Sequence, residues 1–483
     1  MKNSFLRKKT LSLISLAMMF LFVSCIDGYE DDKAWSSGVE NASLESPAAE
    51  KISIVPSADG SKLKITWPVV PGAGGYEFSL YIVDDPENPV LVGEEKQVID
   101  GCTAEREMVE DTYYEVIIKT LGNPKFNNKE AAQATEVAYN NMLDVTATIP
   151  NGTNLTEYFA TNPIPESTTE LCYELEPDGE YTMDGNVPVG LTSVTLRGNK
   201  VKHPKVTMTN GAFLNDGAGF KLKFIDLDCT NFDGTSVILL NPTFNPAAVL
   251  GQEGRYCIIP TTSPIAVLSC TIKGLKQRLF YDSNQYYGVG TLLIKDCVIE
   301  QNTTGSIQLI RSQRAVIKDL SLVNSTFYNK QSNGGYFIQL QGAKVTEVKP
   351  AEETWASANL LITNCTFWQV VKNDQMGNYS NNIAQKGNNI TILNSIFVDC
   401  GNKAVVRRLG GGNANATLIC GLNTYWYDGA FVSTELTTTP KDASGTHIET
   451  DPQLKDPENG DFTVGGSEQI AKRTGDPRWL PAE

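Results

Sequence analysis

Ile362-Thr-Asn-Cys-Thr-Phe367 is a phrase that this chain repeats. It returns as Leu322-Val-Asn-Ser-Thr-Phe327, Ile392-Leu-Asn-Ser-Ile-Phe397, Ile294-Lys-Asp-Cys-Val-Ile299 and Val267-Leu-Ser-Cys-Thr-Ile272. Phe224-Ile-Asp-Leu-Asp-Cys229 reads as a degenerate sixth copy. The common form is apolar–x–Asn/Asp/Ser–Cys/Ser–x–apolar. Its third position falls at Ser269, Asp296, Asn324, Asn364 and Asn394, at intervals of 27, 28, 40 and 30 residues. Recurrence at roughly 20–50 residues signals stacked units, each burying its apolar face only against its neighbours. Cys270, Cys297 and Cys365 share the fourth position with Ser325 and Ser395, so they read as small inward-facing residues of the stack.

The rest of the composition agrees with an all-β chain. Polar β-formers and Asn–Gly turns are abundant, and long 3.6-period apolar stretches are almost absent. The net charge is −16, and the first 24 residues carry Lys2, Arg7, Lys8 and Lys9 with no acid. A chain starting at Cys25 therefore carries −20. Such a charge disfavours a nucleic-acid binder, while leaving room for a local basic patch. The nine cysteines besides Cys25 form no CxxC or Cys/His spacing, and His203 and His447 are the only histidines. Neither a disulfide framework nor a metal site is expected.

Residues 1–24 have a basic start, an apolar run from Leu11 to Val23 and a small residue before Cys25. This is the pattern of a secretory signal peptide, not of a spanning helix. Phe22-Val23-Ser24-Cys25 resembles a bacterial lipobox, with the usual leucine displaced to Leu21. The resemblance implies that Cys25 is acylated, each buried methylene contributing about 0.8 kcal/mol to membrane binding. Asp27-Gly-Tyr-Glu-Asp-Asp32 resembles the surface-export signal of Bacteroidota lipoproteins, which implies an outer-membrane, cell-surface location. Residues 25–49 read as a tether.

Residues 50–143 contain short alternating strands: Lys51–Val55, Lys62–Trp67, Tyr76–Ile82, Tyr113–Lys119 and Thr135–Tyr139. With Trp67 filling the middle they predict a small antiparallel sandwich. Trp67-Pro…Ala73-Gly-Gly-Tyr76 and Tyr114-Glu-Val-Ile-Ile118 resemble a fibronectin type III domain, which implies a spacer.

From residue 147 to 440 the repeats, with Leu175–Tyr181 and Val194–Gly198, resemble right-handed parallel β-helix proteins of the pectate-lyase type. That family has three strands per coil and an asparagine ladder in the tight turn between the second and third. Asn tolerates left-handed backbone and bonds locally, so it suits such a turn. Asn324, Asn364 and Asn394 match the ladder; Asp296 and Ser269 depart from it. The first strand of each coil then lies upstream, at Leu279–Ser283, Ile307–Arg311, Tyr336–Leu340, Ile383–Lys386 and Ala404–Arg408. Its inward set is apolar (Ile307, Leu309, Ile338, Leu340). Its outward set is polar: Gln308, Arg311, Gln339, Lys386, Arg407 and Arg408. Two long spacers, 341–358 and 371–389, are expected to wall a groove over this sheet and to offer Trp355, Lys372, Asp374 and Tyr379. Residues 441–483 are expected to cap the stack.

Aromatic faces and planar hydrogen-bonding groups suit sugars. The expected function is therefore a lipid-anchored surface protein that holds a polysaccharide, pectin-like in the resemblance, without catalysis. Its partners are the polysaccharide, the membrane through the lipid, and surface glycan-uptake proteins. A lyase acting by β-elimination on uronates is the second reading: Lys386, Arg407, Arg408 and Arg311 offer a cationic patch, with Asp374 or Asp399 to help hold calcium. No catalytic residue is identified, because the three-acid metal cluster of that family is missing from consecutive coils. A structural or adhesin-like surface protein is the third reading. No cofactor is expected. Calcium is the one ion that Asp451, Asp456 and Asp461 raise, and their spacing is not that of an EF-hand loop.

Overall fold

The structure, a computed structural model, describes residues 38–482 apart from 59, 244–255, 332–333, 349–354, 380–381, 384 and 412–414. The expected signal peptide, the expected lipidation site Cys25 and the acidic tract lie outside the described residues. The chain divides into two compact units at Met142/Leu143.

In the first unit, three strands (Ser53–Pro56, Lys62–Thr66, Thr103–Glu107) form one antiparallel sheet. The others pair around Tyr76–Ile82 and Tyr113–Thr120 in a second. The alternation of Lys62–Thr66 sends Leu63 and Ile65 inward, both fully buried. Trp67 fills the middle, stacked on Phe78 at 5.9 Å and edge-on to Tyr76 at 5.5 Å. Residues 38–49, the end of the expected tether, join this unit. Asn41 N–H donates to Phe126 O at 3.0 Å, and Leu44 N–H to Lys129 O at 3.0 Å.

The second unit is a right-handed parallel β-helix. Its first-, second- and third-strand sheets contain seven, eleven and ten strands. The repeated phrase forms the turn from second to third strand. Ser269, Asp296, Asn324, Asn364 and Asn394 all have left-handed φ, between 47° and 55°. Asn324 Nδ2 donates to Asp296 Oδ1 at 3.0 Å, and Asn364 Nδ2 to Asn324 Oδ1 at 3.2 Å. In the degenerate copy the left-handed residue is Phe224 (φ 56°), two positions before Asp226. Behind the turn the cysteines are buried and free. Burial pushes the Cys270 thiol up to about 12. Third strands stack an aromatic column, Phe327–Phe367–Phe397–Tyr425, with ring centroids 5.1, 4.7 and 5.8 Å apart. These spacings follow the strand repeat of about 4.8 Å.

A second ladder runs at the start of the second strands. Asn359 Nδ2 donates to Asp319 Oδ1 at 2.6 Å, and Asn389 Nδ2 to Asn359 Oδ1 at 2.9 Å. Each member sits five residues before a member of the first ladder.

Both ends of the stack are closed. Helix Leu155–Thr161 is N-capped by Asn154 and buries Leu155 and Phe159. At the other end, the Glu435 carboxylate accepts from Val405 N at 2.5 Å and Val406 N at 2.9 Å. These begin helix Val405–Leu409, which corrects the expected strand Ala404–Arg408. The C-terminal residues cover the last coil and then run back over the outer face of the third-strand sheet. Gly475 N–H donates to Asn394 O at 2.8 Å, Trp479 Nε1 to Thr326 Oγ1 at 2.8 Å, and Arg478 Nη2 to Asp296 O at 2.8 Å. Phe462 is fully buried there, 5.0 Å from the Tyr328 ring.

Candidate functional site

The first-strand sheet carries a polar outer row over part of its length, half-buried at Tyr281, Arg311 and Asn378 and buried at Gln339, as is Gln308 beside it. Strands Arg278–Tyr281, Ile310–Ser312, Tyr336–Leu340 and Gln375–Tyr379 lie side by side in parallel register. Phe280, Ile310 and Ile338 form one fully buried inward row. The next position alternates outward and aligns Tyr281, Arg311, Gln339 and Asn378 on four successive coils. At about 4.8 Å per coil this row is about 14 Å long.

Neutral groups hold its one cation. Arg311 Nη1 donates to Gln308 Oε1 at 3.1 Å and also to Gln339 Oε1. Gln308 is itself fixed, its Nε2 donating to Ser306 O at 2.9 Å. The Tyr281 hydroxyl donates to Gln313 Oε1 at 2.5 Å, and the Arg278 guanidinium lies 5.2 Å from the Tyr281 ring centroid. Among the described residues neither Arg278 nor Arg311 has an acidic partner, and the Arg278 Nε is buried without a hydrogen bond. Burial, and then the charge of Arg311, lower the pKa of Arg278. Two guanidinium groups without a carboxylate make a site that an anion would complete. Asp282, the nearest acid in the chain, is turned away. It is buried, and its Oδ2 accepts the N–H groups of Gln313, Arg314 and Ala315 at 2.7, 2.7 and 2.8 Å. Burial raises its pKa despite those donors.

An open depression of about 490 Å³ continues the face around the corner towards the third strands, lined by Lys276, Gln277, Asn302, Thr304, Ile307 and Gln331. Lys276 and Gln277 lead directly into Arg278, and Ile307 into Gln308. Its lining thus extends the polar, weakly basic character of the row.

The structure therefore brings together Gln308, Arg311 and Gln339, and separates the other expected contacts. Trp355 is not on a groove wall. It is fully buried with Val345 and Val348, in a loop that packs where Gly288 leaves room: a Cβ there would lie 2.6 Å from Val348 Cγ1. Tyr379 faces inward beside Leu340 and folds over Gly377, so its hydroxyl is enclosed. Lys372 is spent in ion pairs with Asp399 (3.0 Å) and Asp428 (3.4 Å) on the third-strand side. Asp374 accepts Gly335 N–H at 2.6 Å, a turn contact. The strand expected at Ile383–Lys386 is Gln375–Tyr379 instead, which leaves Lys386 exposed in a turn. Arg407 and Arg408 sit on the closing helix, not in the sheet. Arg278, Tyr281, Gln313 and Asn378 were missed. Tyr281 was readable, because it lies within the expected strand Leu279–Ser283 and pairs with Arg311.

Among the described residues no three His, Cys, Asp or Glu side chains come together as a metal ion requires. The C-terminal aspartates bind local donors: Asp451 the Gln453 N–H, Asp456 the Asn459 amide, and Asp461 Lys455 at 2.9 Å.

Family models match the chain in three pieces, each a domain of unknown function: DUF4992 over residues 1–180, DUF4957 over 179–330 and DUF5123 over 360–479. No curated protein and no solved structure matches it. The outward row crosses these boundaries, with Tyr281 and Arg311 in the second match, Asn378 in the third and Gln339 between them.

Proposed function

We propose that this chain is a lipid-anchored protein of the bacterial outer surface that binds an acidic polysaccharide on its first-strand sheet. The observation that carries the reading is the row Tyr281–Arg311–Gln339–Asn378, with Arg278 beside it. It offers one polar side chain per coil in strand register and is cationic without internal compensation. A uronate chain supplies carboxylates for the two arginines, hydroxyls for the amides and a C–H face for Tyr281. The negative net charge concentrates the attraction at this patch and repels the polyanion elsewhere. In this reading Cys25 carries the lipid, the fibronectin-like unit spaces the β-helix from the membrane, and surface glycan-uptake proteins receive the bound chain.

One observation favours lysis as a second reading. Arg278 is half-buried next to another cation, the situation that lowers the pKa of a base able to remove the proton α to a uronate carboxylate. Affinity electrophoresis of the folded chain in gels containing polygalacturonate, alginate or a neutral glucan tests binding. Retardation by an acidic glycan and its loss in Arg311→Ala supports the proposal; equal mobility in all gels sinks it. Growth of ultraviolet absorbance from unsaturated product, abolished by Arg278→Ala, replaces binding with lysis.

A further inference from the structure

A second cleft lies on a different face of the β-helix. It is about 260 Å³ in volume and opens between the outer row of the third-strand sheet and the returning C-terminal segment. That outer row reads Tyr328, Trp368, Val398, Trp426 on successive coils. Phe462 covers the first two, which are each 7% exposed, but it does not reach the last. Trp426 stays half-buried and has no ring partner among the described residues. Its indole lines the cleft with Trp368, two coils or about 10 Å away. The opposite wall brings Pro452 and Pro457, and the rim brings Asp399, Asp451 and Gln453.

We infer that this cleft is a saccharide subsite for an uncharged pyranose ring, separate from the acidic-glycan face. An indole with apolar walls takes the C–H face of a sugar, while a carboxylate and an amide at the rim accept and donate to its hydroxyls. The sign of the charge selects the class. Asp451 and Gln453 are exposed at the rim, and the cations beside the lining are already paired, Lys372 with Asp399 and Asp428 and Lys455 with Asp461. A uronate would meet Asp451 with no free cation opposite. A basic side chain would meet the Lys372 ammonium beside Asp399. The inference stands on Trp426 and does not require the arginine row.

The test is intrinsic tryptophan fluorescence of the folded chain titrated with cellohexaose, xylohexaose, mannohexaose and laminarihexaose, with hexagalacturonate and a lysine hexapeptide as charged probes. The expected result is a saturable emission change with at least one neutral hexasaccharide, lost in Trp426→Ala, weakened in the exposed-rim variants Asp451→Ala and Gln453→Ala, and unchanged in Arg311→Ala. The rim variants keep the test decisive if the tryptophan variant does not fold. No response to any of the four neutral sugars overturns the inference. So does a response that persists in all three cleft variants, or one given only by the lysine peptide. Failure of polyuronate binding leaves this result untouched, so the two readings fail separately.

Discussion

The third-strand and first-strand sheets of the β-helix are built alike and finished differently. Both alternate a fully buried inward row with an outward row in register across the coils. On the third-strand sheet the outward row is aromatic, and the chain's own C-terminal segment covers Tyr328 and Trp368 with Phe462 and Trp479. On the first-strand sheet the outward row is Tyr281, Arg311, Gln339 and Asn378, tied together by amides and free of acids. A solenoid with three strands per coil has three outer faces to dispose of, these being two of them. One here contributes to stability, and the other holds polar groups whose completion requires a partner from outside.

The largest expected effect lies on the covered face. Phe462→Ala empties a fully buried site between Tyr328, Trp368 and Trp479 and is expected to cost about 3–5 kcal/mol in urea denaturation. A loss under about 1 kcal/mol would mean that the segment merely rests on the sheet.

Next comes Glu435, which closes the first-strand end by capping helix Val405–Leu409. Burial raises it from 4.5 to about 7, against the two N–H groups that lower it. The folded chain therefore holds a proton that the unfolded chain releases between pH 4.5 and about 7. This contribution is fully present below 4.5 and is lost as pH rises through that window, by on the order of 3 kcal/mol. In urea melts over pH 4–8, Glu435→Gln is expected to flatten that slope; an unchanged slope would place the proton elsewhere.

A smaller cost is expected at the ladder in the turn from second to third strand. Asn324→Ala loses hydrogen bonds to Asp296 and from Asn364 and puts alanine at φ 47°, for about 1–3 kcal/mol. Asn324→Gly keeps the backbone relaxed and should recover part of that loss in the same melts. On the first-strand face Arg311→Ala should cost about 1 kcal/mol, since it removes the donor to the buried amide oxygens of Gln308 and Gln339.

The repeats made most of this legible. A left-handed turn flanked by apolar strands leaves a fixed trace in sequence, because only Asn, Asp and a few others tolerate the backbone. The second ladder left one as well, in the constant offset of five between Asp319 and Asn324, Asn359 and Asn364, and Asn389 and Asn394. What failed had no local signal. Gln375–Tyr379 is a strand made of poor strand formers, held by pairing with Tyr336–Leu340 and by the space Gly377 gives Tyr379. Val405-Val-Arg-Arg-Leu409 has strand-like β-branched residues, but the carboxylate that makes it a helix comes from Glu435, about 30 residues on. Trp355 looked like a ligand platform because nothing near it in sequence reveals the hole beside Gly288. The arginine row was half visible: alternation about Ile338 and Leu340 gave Gln339, while the expected inward Ile307 lies half-buried at the depression, Ile310 is the inward partner of Ile338, and Arg278 and Asn378 needed that register.

The most direct test of the first-strand face is isothermal titration of the folded chain with oligogalacturonate against the Arg311→Ala variant at low and high salt. Binding that weakens with salt and disappears in a variant that still folds is the predicted result. Binding of equal strength by the variant, or none by the native chain, would contradict it.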